Sequence, residues 1–388
     1  MPFFGDLAKM LGQQGPLSWD AARHLAVSIA AGGESEPNVD PLERIKLEQL
    51  ARVAELQVAN ATGLSTSTTG RGVRVVPVTR AVWVQRTLDA YRPLFERLAA
   101  ALAEQGDADG DPLTGQAGSA GDPAAWLGGL MKMVAPMMLG MTAGSLVGHL
   151  GTRALGQYDL PIPRPADDEL AVVHANLSAF GDEWSLPEDD LALWVCIHEI
   201  AHHAVLGVPH VRSRLEALLF EYVSGFEPES NALEQRMGEL DPTDAESLQG
   251  FQQLLGDPET LLGALQSPAQ RELLPRLEAL VAVVVGYVDH VMDRIGEHLI
   301  PSYAMVTEAL RRRRVEAAPS DRFVERLLGL DLTQEHYERG ASFFDGVAER
   351  AGEDALARLW EAERLLPTPA EIDAPGLWLA RLEFDTDG

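Results

Sequence analysis

The stretch SLPEDDLALWVCIHEIAHHAVLG, residues 185–207, decides the fold class of this chain. Apolar residues recur through it at three- and four-residue spacings, which is typical of a helix. Pro187 stands in the first turn, and Ser185 with Glu188 matches the capping-box pattern. The pattern therefore predicts one long helix that ends near Leu206 and has a buried apolar face.

The segment HEIAHH, residues 198–203, carries the chemistry of this helix. His198 and His202 are four residues apart, so both imidazoles project from one face and can reach a single tetrahedral ion. Glu199 is offset by about 100°, where its carboxylate can take a proton from a water molecule beside the ion. The motif predicts one zinc ion on His198 and His202, with Glu199 as the general base.

A catalytic zinc ion needs a third protein ligand, and the sequence leaves two alternatives open. Glu221 follows His202 after 18 residues, the spacing found in the gluzincin aminopeptidases. Asp289 lies in GYVDHVMDRIG, residues 286–296, where it clusters with His290 and Asp293 within little more than one helical turn. A buried group of this kind requires a cation or mutual hydrogen bonds.

Composition excludes several classes of function. The 388 residues carry a net charge of -28, which repels phosphate backbones, so nucleic acid is not expected as a partner. The single cysteine, Cys196, excludes a disulfide within the chain, and residues 1–15 contain no apolar run of signal length. These observations predict a cytoplasmic protein. In this acidic chain the block Arg311–Arg314 could receive a carboxylate or phosphate group, although stabilisation of a helix C-terminus is the favoured interpretation.

Helical periodicity predominates, so the predicted fold class is mainly α. Short β segments are predicted at 71–79 and 170–180. The Gly- and Asp-rich residues 106–122 predict a flexible loop that ends an N-terminal helical region, residues 1–122. Residues 123–388 are predicted to form a mainly helical core, and one continuous domain is the alternative.

Residues 124–150 form a long apolar segment that is interrupted by Pro136. We interpret it as a pair of core helices hinged near Pro136, while membrane attachment is the less favoured alternative. Gly140, Gly144 and Gly148 would permit close helix packing in either setting.

Together these residues resemble a family of zincin-like metallopeptidases of unassigned physiological role, sometimes associated with deazaflavin coenzyme biosynthesis. The resemblance rests on HEIAHH, on GYVDHVMDRIG and on the helical plan, and it spans roughly residues 70–350. It implies a zincin-like core with an additional helical bundle and a strand that lines the substrate cleft. The family carries a Glu-Gly pair whose Glu is the third ligand, whereas here Val285 precedes Gly286, which puts that ligand in doubt.

The predicted function is hydrolysis of a peptide or small amide substrate by zinc-activated water, with His198, His202 and Glu199 as the site. The alternative is a catalytically silent zincin-like scaffold that binds a protein partner or a membrane.

Overall fold

The structure is a computed structural model that describes residues 15–33, 36–107, 123–226, 266–316, 319–330 and 332–386. Most of the predicted loop at 106–122 lies outside these ranges. The described residues are mainly helical, which confirms the predicted fold class. The predicted division near residue 122 stays a prediction.

Both strands among the described residues lie in the first part of the chain. This part contains α1 (Trp19–Ala30), α2 (Pro41–Thr62), β1 (Arg74–Val78), α3 (Arg80–Asp107), α4 (Pro123–Gly151), β2 (Glu169–Val173), α5 (His174–Trp184), α6 (Glu188–Gly207) and α7 (Pro209–Ser224). The second part contains α8 (Pro268–Leu299), α9 (Tyr303–Val315), α10 (Pro319–Leu327), α11 (Gln334–Ala351), two 3-10 helices (Glu353–Trp360 and Glu363–Leu365), α12 (Pro369–Asp373) and α13 (Pro375–Thr386).

The sheet consists of β1 and β2, which pair in parallel with Arg74 opposite Glu169 and Val78 opposite Val173. The strand predicted at 170–180 is too long, since the chain turns into α5 at His174. Leu177 and Phe180 are buried three residues apart, which is a helical rather than an alternating spacing. On the other side of β2, Gly156 forms an antiparallel bridge with Val172, which places the segment around residue 156 against α6.

Helix α6 runs through the middle of the core, and its residues from Leu191 to Leu206 are buried except His198. The predicted capping box is wrong, because α6 begins at Glu188 without a side-chain cap. Ser185 instead ends α5 in a left-handed conformation with φ 53°, so it is not available to α6. Acidic residues in the first turn of α6 suit the positive end of the helix dipole.

The apolar segment is one helix, α4, rather than two helices hinged at Pro136. It packs closely on α1, since a Cβ atom at Gly144 would lie 2.4 Å from the carbonyl oxygen of Ala22. Gly140 and Gly148 make similar close approaches, as their sequence positions predict. Among the described residues, no single helix has both the length and the apolar composition to cross a bilayer, although α6 and α7, bent by 87°, meet these two criteria as a pair.

Helices α8 and α11 cross at Gly286 and Gly340. This crossing places the GYVDHVMDRIG segment in the core. A Cβ atom at Gly286 would lie 2.5 Å from the backbone carbon of Gly340, so neither position has room for a side chain. Helix α9 packs against α6, which brings the predicted arginine block close to the histidines.

Candidate metal and hydrolytic site

The two histidines of the motif lie side by side on α6. Their ring centroids are 4.3 Å apart, and Nδ1 of His202 lies 3.1 Å from the carbonyl oxygen of His198. A neutral ring that donates Nδ1–H to this carbonyl keeps the lone pair of Nε2 for a ligand. The indole of Trp194 stacks on His198 with ring centroids 5.0 Å apart and holds the ring from the other side.

Both imidazoles are held in the neutral form. Burial, together with the positive charge of Arg314, lowers the pKa of His198 to about 3. Burial also lowers the pKa of His202 well below its ordinary value, and the electrostatic coupling to the neighbouring His198 adds to this effect. Neutral imidazole is the form that binds metal ions.

Glu199 is fixed beside the histidines and is 1% exposed. Its Oε2 accepts a hydrogen bond of 2.8 Å from the backbone N–H of Tyr158, and its Oε1 lies 3.2 Å from Nδ1 of His198. A Cβ atom at Gly156 would lie 2.2 Å from the carboxyl carbon, so this backbone approach requires glycine. Burial raises the pKa of Glu199 to about 8, although the N–H groups of Tyr158 and Gln157 oppose the shift.

The structure does not bring either predicted third ligand to the histidine pair. Glu221 is exposed on α7, and Asp289 binds Arg314, with 3.4 Å between Oδ2 and Nη1. Over the ranges that the structure covers, no three His, Cys, Asp or Glu side chains are arranged to hold one metal ion. Val285, at the position where the resemblance implies a glutamate, is fully buried.

The acid and histidine cluster on α8 separates into three contacts with different partners. Asp289 pairs with Arg314, while Nε2 of His290 lies 2.9 Å from Glu353. Asp293 accepts a hydrogen bond of 2.6 Å from the hydroxyl of Tyr303. The sequence predicts a cation or mutual hydrogen bonds for this cluster, and the cation beside Asp289 is an arginine of this chain.

Sequence reasoning missed a buried hydrogen-bond chain behind the site. The hydroxyl of Tyr158 lies 2.9 Å from Nδ1 of His203, whose Nε2 lies 3.2 Å from Oδ1 of Asp168. Because an ionised Asp168 can only accept, His203 donates from Nε2 and accepts from Tyr158. The run of hydroxyl residues STSTT, 65–69, which supplies further donors to Asp168, was the available signal.

A cleft of about 430 Å³ opens onto the histidine motif. His198, Glu199, Trp194 and Tyr158 line one side of this cleft, and Asp159 is the acidic residue beside them that sequence reasoning missed. The other walls carry four arginines, which are Arg153, Arg313, Arg314 and Arg322. A small substrate group can reach Glu199 and His198 from this space.

The side chains at the site supply two of the three protein ligands that a catalytic zinc ion needs. The imidazoles of the buried His202 and the partly buried His198 are neutral and one helical turn apart, so they have the chemistry of zinc ligands, with the Glu199 carboxyl next to them. The third protein ligand is not in place among the described side chains.

A helical scaffold that presents an H-E-x-x-H helix at a cleft defines a zincin-like class of protein. The chain belongs to the zincin-like metallopeptidase family, whose model matches residues 17–379. This match confirms the resemblance and extends it over nearly the whole chain.

One solved structure supports the same fold. It is a protein from Chloroflexus aurantiacus described as a "putative hydrolase with a novel fold", with a TM-score of 0.64 and 23% sequence identity. The match covers 95% of this chain and 99% of that one. None of the curated proteins compared with the sequence matches it.

Proposed function

We propose that the protein is a zinc-dependent hydrolase that cleaves a peptide or related amide bond in the cleft beside α6. The observation that carries the proposal is the pair of neutral, adjacent imidazoles of His198 and His202, with the Glu199 carboxyl fixed beside them. Family membership and the cleft support the same reaction class.

The two histidines would hold the ion, which when bound supplies Lewis acidity toward the scissile carbonyl and lowers the pKa of water. In its ionised form, which a cation held by the histidines would favour, Glu199 would accept the proton of the attacking water and pass it to the leaving amine. The N–H of Tyr158 holds the carboxyl at this place, and Gly156 leaves room for it. Trp194 and Tyr158 shield the histidines from bulk water.

Elemental mass spectrometry of the purified protein tests the proposal. We expect about one zinc ion per chain, lost in His198→Ala and kept in Glu199→Gln, which should lose metal-dependent hydrolysis in a peptide-library screen. His149→Ala is the matched control, because His149 is exposed on a helix and also has its Nδ1 at the carbonyl oxygen of the residue four positions earlier.

A catalytically silent scaffold is the second candidate, and the incomplete ligand set of the described residues favours it. A folded protein that binds no zinc even when zinc is supplied would support this candidate and refute the first.

A further inference from the structure

The cleft contains an arginine whose donors are largely unused. Within the described part of the chain, the Arg314 guanidinium has one hydrogen bond, of 3.4 Å to Asp289. Its position is nevertheless fixed, because the guanidinium carbon lies 3.9 Å from the ring centroid of Tyr337. Arg314 lines the same cleft as His198 and Glu199. A preorganised guanidinium with spare donors is suited to a carboxylate.

Two further polar groups of the cleft have no hydrogen-bond partner among the described residues. The indole N–H of Trp194 is a buried donor, on a side chain that is 5% exposed. The side-chain oxygen of Gln334 is a buried acceptor. A buried polar group without a partner is costly, so a ligand that satisfies both would gain affinity.

Two acidic residues of the cleft have cationic neighbours of their own. Asp159 lies 3.9 Å from Arg313, and Glu325 lies 3.8 Å from Arg153. The specificity of the cleft for its ligand therefore depends on the positions of its hydrogen-bond donors rather than on an excess of positive charge. By contrast, the adjacent Arg312 is exposed and pairs with Glu308 at 2.7 Å.

We propose that the cleft selects substrates with a carboxylate next to an amide N–H, as in the C-terminal residue of a peptide. Arg314 and the N–H of Trp194 bind the carboxylate, and the oxygen of Gln334 accepts the amide N–H. Asp289 and Tyr337 are positioning residues for the guanidinium. This substrate class rests on the proposed hydrolase function, and an acidic side chain of an internal residue is the other source of the same carboxylate.

Isothermal titration calorimetry of the full-length, zinc-supplied protein tests the proposal with three probes. These are acetyl-Ala-Ala-Ala with a free carboxylate, its C-terminal amide, and acetyl-Ala-Glu-Ala-amide, whose carboxylate is on a side chain. We expect the free carboxylate to bind about 10- to 100-fold more tightly than the amide. Tighter binding of the Glu-containing amide than of the all-alanine amide would support the carboxylate assignment with a side chain as its source.

Removing Arg314 alone would leave the partly buried Asp289 without its cation, so the decisive variant is Arg314→Gln with Asp289→Asn. The preference for a carboxylate should fall below about threefold in this double variant and remain in Arg312→Gln. Trp194→Phe keeps an aromatic ring on His198 and removes the donor, so it should lose part of the preference even if the double variant does not fold.

Equal binding of the carboxylate and amide probes overturns the proposal, and so does no binding of any probe at about 10 mM, a concentration that would reveal even millimolar affinity. A carboxylate preference that persists in the double variant overturns the role of Arg314. Zinc content and cleavage products, measured on the same samples by mass spectrometry, report separately on the proposed hydrolase function.

Discussion

Replacement of Asp168 by asparagine should destabilise the protein by disrupting the link between residues 65–70 and α6. The Asp168 carboxylate is 7% exposed and accepts six hydrogen bonds, three at each oxygen. The donors are the hydroxyl of Ser67, the N–H and hydroxyl groups of Thr68 and Thr69, and His203. This carboxylate therefore joins the loop to the motif helix.

The magnitude follows from the geometry of these contacts. In either orientation, the amide of asparagine places an NH₂ group where one oxygen accepted three donors. At about 1 kcal/mol for each lost bond, with some recovery by rotating hydroxyls, the free energy of unfolding should fall by about 2–4 kcal/mol. Asp167→Asn is the matched control, because Asp167 is exposed and accepts one bond, from the N–H of Glu169.

The destabilisation caused by Asp168→Asn should also depend on pH, and it should be smaller at acidic pH. Burial alone would raise the pKa of Asp168, but hydrogen bonds from Thr69, Thr68, Ser67 and His203 outweigh it and hold the pKa far below 3.8. A pKa depressed by folding stabilises the protein above the unfolded pKa, and this contribution is lost as pH falls below about 4. The difference in unfolding free energy between the wild type and the Asp168→Asn variant should therefore be constant from about pH 5 to 7 and shrink below about pH 4.

Urea denaturation of the wild type and both variants between pH 3 and 7 measures this difference, with amide hydrogen exchange at residues 67–73 as a local readout. A loss below about 1 kcal/mol at pH 7, or a difference that does not change with pH, would refute the role assigned to Asp168.

Three further substitutions have defined outcomes. Gly156→Ala should push the Glu199 carboxyl aside and leave the zinc content unchanged. Metal-dependent hydrolysis should fall by about 100-fold or more, because a displacement of about 1 Å at a catalytic group can reduce the rate by this factor. Gly286→Ala should lower the free energy of unfolding by about 1–3 kcal/mol through overpacking against α11, whereas Gly72→Ala, where a Cβ meets nothing closer than 3.8 Å, should be nearly neutral in urea denaturation. Tyr158→Phe should leave Nδ1 of His203 without its donor and cost about 1–2 kcal/mol in the same assay.

Features of the fold that depend on residues close together in the chain were predicted correctly from local sequence patterns. The helix that carries HEIAHH needs only apolar residues at helical spacing and a proline just before its first turn, so its extent was predicted almost correctly. The small residues of the apolar segment predicted the close packing that Gly140, Gly144 and Gly148 make on α1. The burial of His202 likewise follows from the apolar residues that share its helix.

Predictions were wrong where the local sequence was compatible with two different structures. Ser185 could cap α6 or end α5, and the contacts of α5 decided the outcome. Residues 170–180 have the composition of one apolar strand, but only the first part pairs with β1 before helical spacing takes over at His174. The hinge expected at Pro136 is absent because packing of α4 against α1 outweighs the cost of proline within a helix.

The partner of Asp289 could not be predicted, because it lies 25 residues away on another helix. The sequence indicated that the acidic cluster on α8 requires a cation or mutual hydrogen bonds, but an arginine and a metal ion satisfy the need for a cation equally well. Which of the two is present depends on how α9 packs against α6 and α8, a contact between elements that no local pattern encodes. The arginine block and the acidic cluster, considered separately, suggested a helix terminus and a metal ligand. In the folded chain, Arg314 and Asp289 instead form one ion pair at the wall of the cleft, and the substrate preference proposed above depends on that pair.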